Sequence, residues 1–122
     1  LGDTAAEDLT AMFRQQLFDD GKTGGATLAS LLAAQRFIAI ADPTNAASLE
    51  AIDRAAHSIK GSAGTVGCPA LEQVASDIID AAQAGKKGGG GAGASRWDEL
   101  ASRFEAERGR FESYCANNTG GV

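Results

Sequence analysis

Several protein classes are excluded by what this chain has little of. Its 122 residues contain one histidine, two cysteines and two prolines. One histidine, with no cysteine or carboxylate cluster at ligand spacing, gives too few ligands for a metal centre. A hydrolase is disfavoured as well, because no serine or cysteine nucleophile has a second histidine to activate it. Cys68 and Cys115 make one pair, too few for a disulfide framework, and a reduced intracellular setting is the simpler reading. No apolar run approaches the ~20 residues of a membrane span, and no signal-peptide pattern opens the chain. The expectation is a cytoplasmic protein without membrane insertion, with nuclear access if the source is eukaryotic. Basic residues are also scarce: 11 Lys and Arg against 16 Asp and Glu give a net charge of −5. That balance argues against nucleic acid as a partner, since phosphate binding needs a basic patch.

What is present points to helix. Alanine and leucine dominate the apolar set and β-branched residues are sparse. Leu9, Met12, Phe13 and Leu17 recur at helical spacing over residues 4–20, with Asp3 or Thr4 as N-cap. Gly21 and Gly24-Gly25 interrupt the pattern. Leu28, Leu31, Leu32, Gln35 and Ile38 or Ala39 form the stripe of a second helix over 25–41, with Phe37 and Ile40 off that stripe. Asp42-Pro43 reads as a helix restart, with Thr44 or Asn45 as alternative caps, and a third helix follows over 44–66. Gly67 is a natural stop, and Cys68-Pro69 opens a fourth helix over 69–84. Residues 85–94 are glycine-rich and read as a flexible loop, in which removal of Lys86 should not affect stability. They lack the Gly-x-x-x-x-Gly-Lys-Ser/Thr order of a phosphate loop. A last helix over 95–115, capped by Ser95, carries Trp97, Leu100, Phe104 and Phe111 as core, and 117–122 read as a frayed tail. The whole of 1–122 reads as one all-α domain. Its expected form is an antiparallel four-helix bundle with an additional N-terminal helix across one end.

The third helix holds the only histidine. Leu49, Ile52, Ala56, Ile59, Ala63 and Val66 form a buried seam, and His57 points roughly 130° away from its middle. Asp53, His57, Lys60, Gly61 and Gly64 share one flank. A glycine inside a helix costs about 0.5–1 kcal/mol relative to alanine, so two of them beside a lone imidazole suggest that something large approaches it.

His57-Ser58-Ile59-Lys60-Gly61-Ser62, followed by Gly67, resembles the His-x-x-Lys-Gly-Ser signature of histidine-containing phosphotransfer (HPt) domains. The resemblance extends over most of the chain, since the flanking helices fit an HPt bundle. It implies a phosphocarrier of a multistep two-component phosphorelay. In that reading His57 takes a phosphoryl group from a receiver-domain aspartyl phosphate and passes it to another receiver aspartate, downstream of a hybrid histidine kinase. No cofactor or metal is implied. A neutral imidazole is nucleophilic, and near its ordinary pKa of about 6.5 histidine is largely neutral at cellular pH. Lys60 can supply positive charge to the phosphoryl oxygens, and Gly61 leaves space beside the ring. Gly64 keeps the surface flat for docking. Ser62 is a weaker docking candidate. Asp53 could bond the ring, but reads first as a solvated charge on the docking face. A strip of the second helix is expected to complete that face. Two alternatives stand beside this reading: an HPt module of a larger hybrid or chemotaxis-type kinase, and a binding-only bundle. An autonomous kinase is excluded, since an ATP-binding domain alone needs about 150 residues or more.

Overall fold

The computed structural model describes residues 2–42, 45–87 and 93–119, with side chains described from residue 9 to residue 117 of these. Five helices follow in order: α1 (Gly2–Phe18), α2 (Gly25–Ala41), α3 (Ala46–Val66), α4 (Pro69–Lys86) and α5 (Ala94–Thr119). Helices α2 to α5 form a closed ring in which each packs on the next and α5 returns to α2, while α1 lies against α3, α2 and α5. This is the all-α four-helix bundle with an added N-terminal helix.

Side-chain pairs show that neighbours run antiparallel. Arg36, late in α2, pairs with Asp98, early in α5, at 2.9 Å. Lys86, at the end of α4, reaches Glu50 near the start of α3 at 3.0 Å. Arg103 of α5 bonds Asp77 of α4 at 2.7 Å, about nine residues from the paired ends of both helices.

The connections explain the helix ends. Asp19 to Gly24 turn the chain tightly back on α1. A methyl group on Gly24 would lie 2.2 Å from the Asp19 carbonyl oxygen, and one on Gly25 only 2.0 Å from that of Leu17. Both glycines are therefore required by backbone approach, and α1 stops at Phe18 rather than at 20. Arg108 Nη1 donates to the Leu17 carbonyl at 3.2 Å, satisfying an end group of α1 from the overhanging half of α5. Phe13 meets Phe111 edge-to-face at 5.0 Å, so α1 closes the bundle end where α5 projects.

Asn45, one of the alternative caps, accepts from the Ser48 amide at 2.9 Å and starts α3 at Ala46. The proposed restart at Pro43 and the Thr44 cap lie outside the described residues. Gly67 closes α3 at φ 75°. Its amide bonds the Gly64 carbonyl at 3.3 Å while Cys68 bonds that of Ala63 at 2.8 Å, the paired bonds of a Schellman turn. Pro69 then occupies the first turn of α4, where its missing N–H costs nothing. Two expectations need correction. Ser95 lies inside α5 and does not cap it, because the helix begins at Ala94 with Gly93 accepting its first bonds. Gly85 and Lys86 belong to α4, not to a loop. The centre of the glycine-rich stretch, 88–92, and the tail residues 120–122 lie outside the described residues.

The core holds the expected seam: Leu49, Ile52, Ala56, Ile59 and Ala63 are fully buried, with Val66 half-buried at its edge. Leu28, Leu32, Gln35 and Ala39 fill it from α2, and Trp97, Leu100 and Phe104 from α5. Leu9 and Met12 depart from the α1 stripe and are exposed, and so are Phe37 and Ile40.

Ile59→Asp should destabilise the bundle by more than about 3 kcal/mol, since it places an unpaired charge in the core, and chemical denaturation will show this as a lowered midpoint. The α4–α5 pair adds a pH dependence. Hydrogen bonds from Arg103, first, and Gln73 hold Asp77 below the usual carboxylate range, against a smaller opposing effect of burial. A lowered carboxylate favours the fold only while ionised. Its contribution is complete above about pH 4 and is lost as pH falls through the lowered value. Asp77→Asn should therefore melt below wild type at neutral pH, and the two melting temperatures should converge in acid.

Candidate functional site

His57 lies mid-way along α3, on the side turned from the seam, and its side chain is 56% exposed. Helical periodicity places Asp53 one turn before it, and Lys60, Gly61 and Gly64 one and two turns after. No described acidic side chain pairs with Lys60. A methyl group built on Gly61 would meet nothing within 4 Å, so the surface beside the ring is open. One on Gly64 would lie 3.2 Å from Glu72 Oε2 of α4, a flexible neighbour that can swing aside.

On one side of His57 a cleft of about 490 Å³ separates α3 from α1. His57, Ser58, Gly61 and Ser62 form its α3 wall, and Leu9, Met12 and Gln16 its α1 wall. The element across the cleft from the histidine is α1. Gln16 Nε2 donates to Ser58 Oγ at 2.7 Å and fixes the two walls together. The exposed Leu9 and Met12 give the cleft an apolar rim. Sequence spacing had assigned both to the α1 core stripe, because periodicity does not distinguish a core face from an apolar rim.

On the other side lies a charged pair. Asp53 is not a solvated charge: its side chain is only 10% exposed. Its Oδ2 accepts from Lys86 Nζ at 2.5 Å, and Glu50 Oε2 accepts from the same ammonium at 3.0 Å. The other oxygen, Oδ1, lies 3.1 Å from His57 Nε2. It is buried and takes no hydrogen bond among the described residues, because the ring nitrogen is close without being aligned. Lys86 is raised above its ordinary lysine pKa, chiefly by the hydrogen bond to Asp53 and next by that to Glu50. It therefore stays charged across the physiological range. Lys86 was missed as a site residue because it arrives from another helix, at the edge of a stretch whose composition reads as linker.

Among the described residues no group of His, Cys, Asp and Glu could hold a metal ion, and no helix is long and apolar enough to cross a membrane. The buried Cys115 thiol is pushed up in pKa by burial, which removes it from consideration as a nucleophile. The only imidazole is thus presented on an open helix face, with Lys60 beside it unpaired by any described acidic side chain. The family model of the Hpt domain matches residues 6–108.

The chain belongs to the Hpt domain family. Hpt domains are phosphotransfer carriers of two-component signalling and not independent kinases, and they work with receiver domains and hybrid kinases. No curated protein and no solved structure matches the chain. The matched span runs from α1 into α5 and so includes both walls of the cleft and the Asp53–Lys86 pair of this Hpt domain.

Lys86→Ala leaves the buried Asp53 carboxylate with no partner on α4, whereas Lys87 sits exposed just beyond the helix. Thermal melts should show a clear loss for Lys86→Ala and none for Lys87→Ala. This reverses the sequence-based expectation for Lys86.

Proposed function

We propose that His57 is the phosphorylated residue of a multistep relay, taking the phosphoryl group from one receiver aspartate and delivering it to another. The observation that carries this reading is the exposure of the chain's only imidazole in mid-helix, with open space at Gly61 and an ammonium at Lys60 that no described acidic side chain pairs. The chemistry asks little more of this partner. A lone pair of a ring nitrogen attacks the phosphorus of the aspartyl phosphate. The P–O bond to the receiver carboxylate breaks, its electron pair leaving with that carboxylate, and an N–P bond forms. The second transfer is the same step reversed onto another aspartate. Such transfer depends on positioning and on charge stabilisation, and Lys60 offers a charge-assisted contact to the phosphoryl oxygens.

The docking surface in this proposal has three parts. The apolar rim of Leu9 and Met12 offers contact area, as a partner-facing patch on an otherwise charged surface does. Gly61 and Gly64, with Ser62 at the cleft wall, let a receiver approach the α3 backbone. Lys60 meets the phosphoryl group itself. Asp53 is left out of the contact surface, since its carboxylate is covered and engaged by Lys86.

Incubation with a phosphorylated receiver tests this directly. Wild type should take up acid-labile, alkali-stable label, as an N–P bond requires. His57→Gln should take up none while keeping its melting temperature within the range of a surface change, about 0.5 kcal/mol. Lys60→Ala should still be labelled, but several-fold more slowly, at a cost of roughly 1 kcal/mol. Gly64→Arg should stay folded and fail to be labelled from the receiver. Label on His57→Gln, or none on wild type across a broad panel of receivers, refutes the phosphocarrier reading and favours a binding-only bundle.

A further inference from the structure

The Asp53–Lys86 pair behind the histidine has the construction of a working part. Asp53 is buried, with one oxygen held by Lys86 and the other 3.1 Å from the ring and without a hydrogen bond among the described residues. A buried acceptor left unpaired costs free energy. The pair is also not the ion pair that one helix face carries for solubility, since it crosses from α4 to α3 and its carboxylate is buried.

The reaction gives such a carboxylate something to do. A neutral imidazole that attacks phosphorus through one nitrogen still carries its proton on the other. As the N–P bond forms, the ring becomes positive. A fixed negative charge against the ring stabilises that cation, as a buried aspartate does for an imidazolium in acyl transfer. The same charge, uncompensated, would also favour protonation of the resting ring, and a protonated imidazole has no lone pair to attack with. A cation beside the carboxylate offsets this.

We infer that Asp53 and Lys86 are positioning residues for phosphoryl acceptance: Asp53 stabilises the positive ring formed as His57 takes the phosphoryl group, and Lys86 holds that carboxylate in place and balances its charge while the ring is empty. This rests on His57 being the acceptor. The charged groups facing Asp53 are Glu50 on its own helix and Lys86 from α4, with Arg54 pairing Glu50 at 3.8 Å. From α1 the described neighbours of His57 in the cleft, Leu9, Met12 and Gln16, are uncharged. Lys60, one turn after His57 on its own helix, is the remaining charged neighbour.

The test uses the full chain and potassium phosphoramidate, a small donor that needs no docking surface. The ring nitrogen attacks phosphorus, the donor P–N bond breaks and ammonia leaves with a proton from solvent. Phosphorus NMR follows the phosphohistidine across the neutral range. For wild type the rate should rise with pH as the ring loses its proton and then level off. Asp53→Asn should lower the plateau by about tenfold, the effect of losing one close opposite charge. Lys86→Met should move the rising limb to higher pH, and Lys86→Arg should restore it. A merely structural role would lower stability in both Lys86 variants without moving the limb.

A wild-type plateau in folded Asp53→Asn, or a wild-type limb in folded Lys86→Met, overturns the inference. If Asp53→Asn melts out, Lys86→Met and Lys86→Arg still decide it through the limb. Failure of wild type to form any phosphohistidine overturns the acceptor reading beneath it instead, which separates the two.

Discussion

The close approach of α3 to α4 is the contact on which the site depends. Ala55, Ala56, Ala63, Ala75 and Ala82, all fully buried, lie on these two helices. Small residues let helix axes come near the short end of the usual 8–10 Å range. Lysine's stem is only four carbons long. Were the two helices held apart by leucines along their length, Lys86 would not reach a buried carboxylate on the neighbouring helix. The same seam turns His57 outward, because the residues that must be buried leave it the opposite side of the helix. Packing and chemistry are thus two faces of one helix.

The second constraint is α1. It is not one of the four ring helices, yet it supplies half the cleft at the histidine. Phe13 and Leu17 anchor it to the core, and Gln16 ties it to Ser58 beside the site. With that side held, Leu9 and Met12 are left facing solvent within reach of anything that approaches His57. Gly24 and Gly25 set the entry of α2 so tightly against the end of α1 that its placement is a matter of backbone contact.

Much of this could be read in the sequence, and the failures share a cause. Periodicity located every helix, and the seam from Leu49 to Ala63 was correct because one face of a helix is fixed by residues of that helix alone. The motif around His57 was legible for the same reason. Asp53 was not. Its spacing from His57 was visible, but whether a carboxylate on a flank is solvated or covered depends on what the next helix brings, and Lys86 came from a segment whose glycines suggested no structure. Leu9 and Met12 failed in the same way: an apolar residue at helical spacing is core or rim according to a neighbour that the local sequence does not name. Ser95 shows the milder error of a capping residue one position inside the helix it was meant to start.

The turn at Gly67 has a geometric consequence for the charged pair at the far end of the hairpin. From Asp53 to the end of α3 at Val66 is 13 residues, and from Pro69 to Lys86 is 17. At 1.5 Å per residue these paths are about 20 Å and about 26 Å, and the lysine side chain, about 6 Å long, folds back across the difference. The left-handed glycine and the proline that follows it act as the zero mark of a ruler, with Lys86 as its last graduation. One residue inserted into the turn would leave the helices intact and the seam free to repack. It would also let α4 slide along α3, carrying Lys86 off its level with Asp53. The length of a two-residue turn thus fixes a contact some 20 Å away, and relatives that lengthen this turn would have to find the balancing cation at another position.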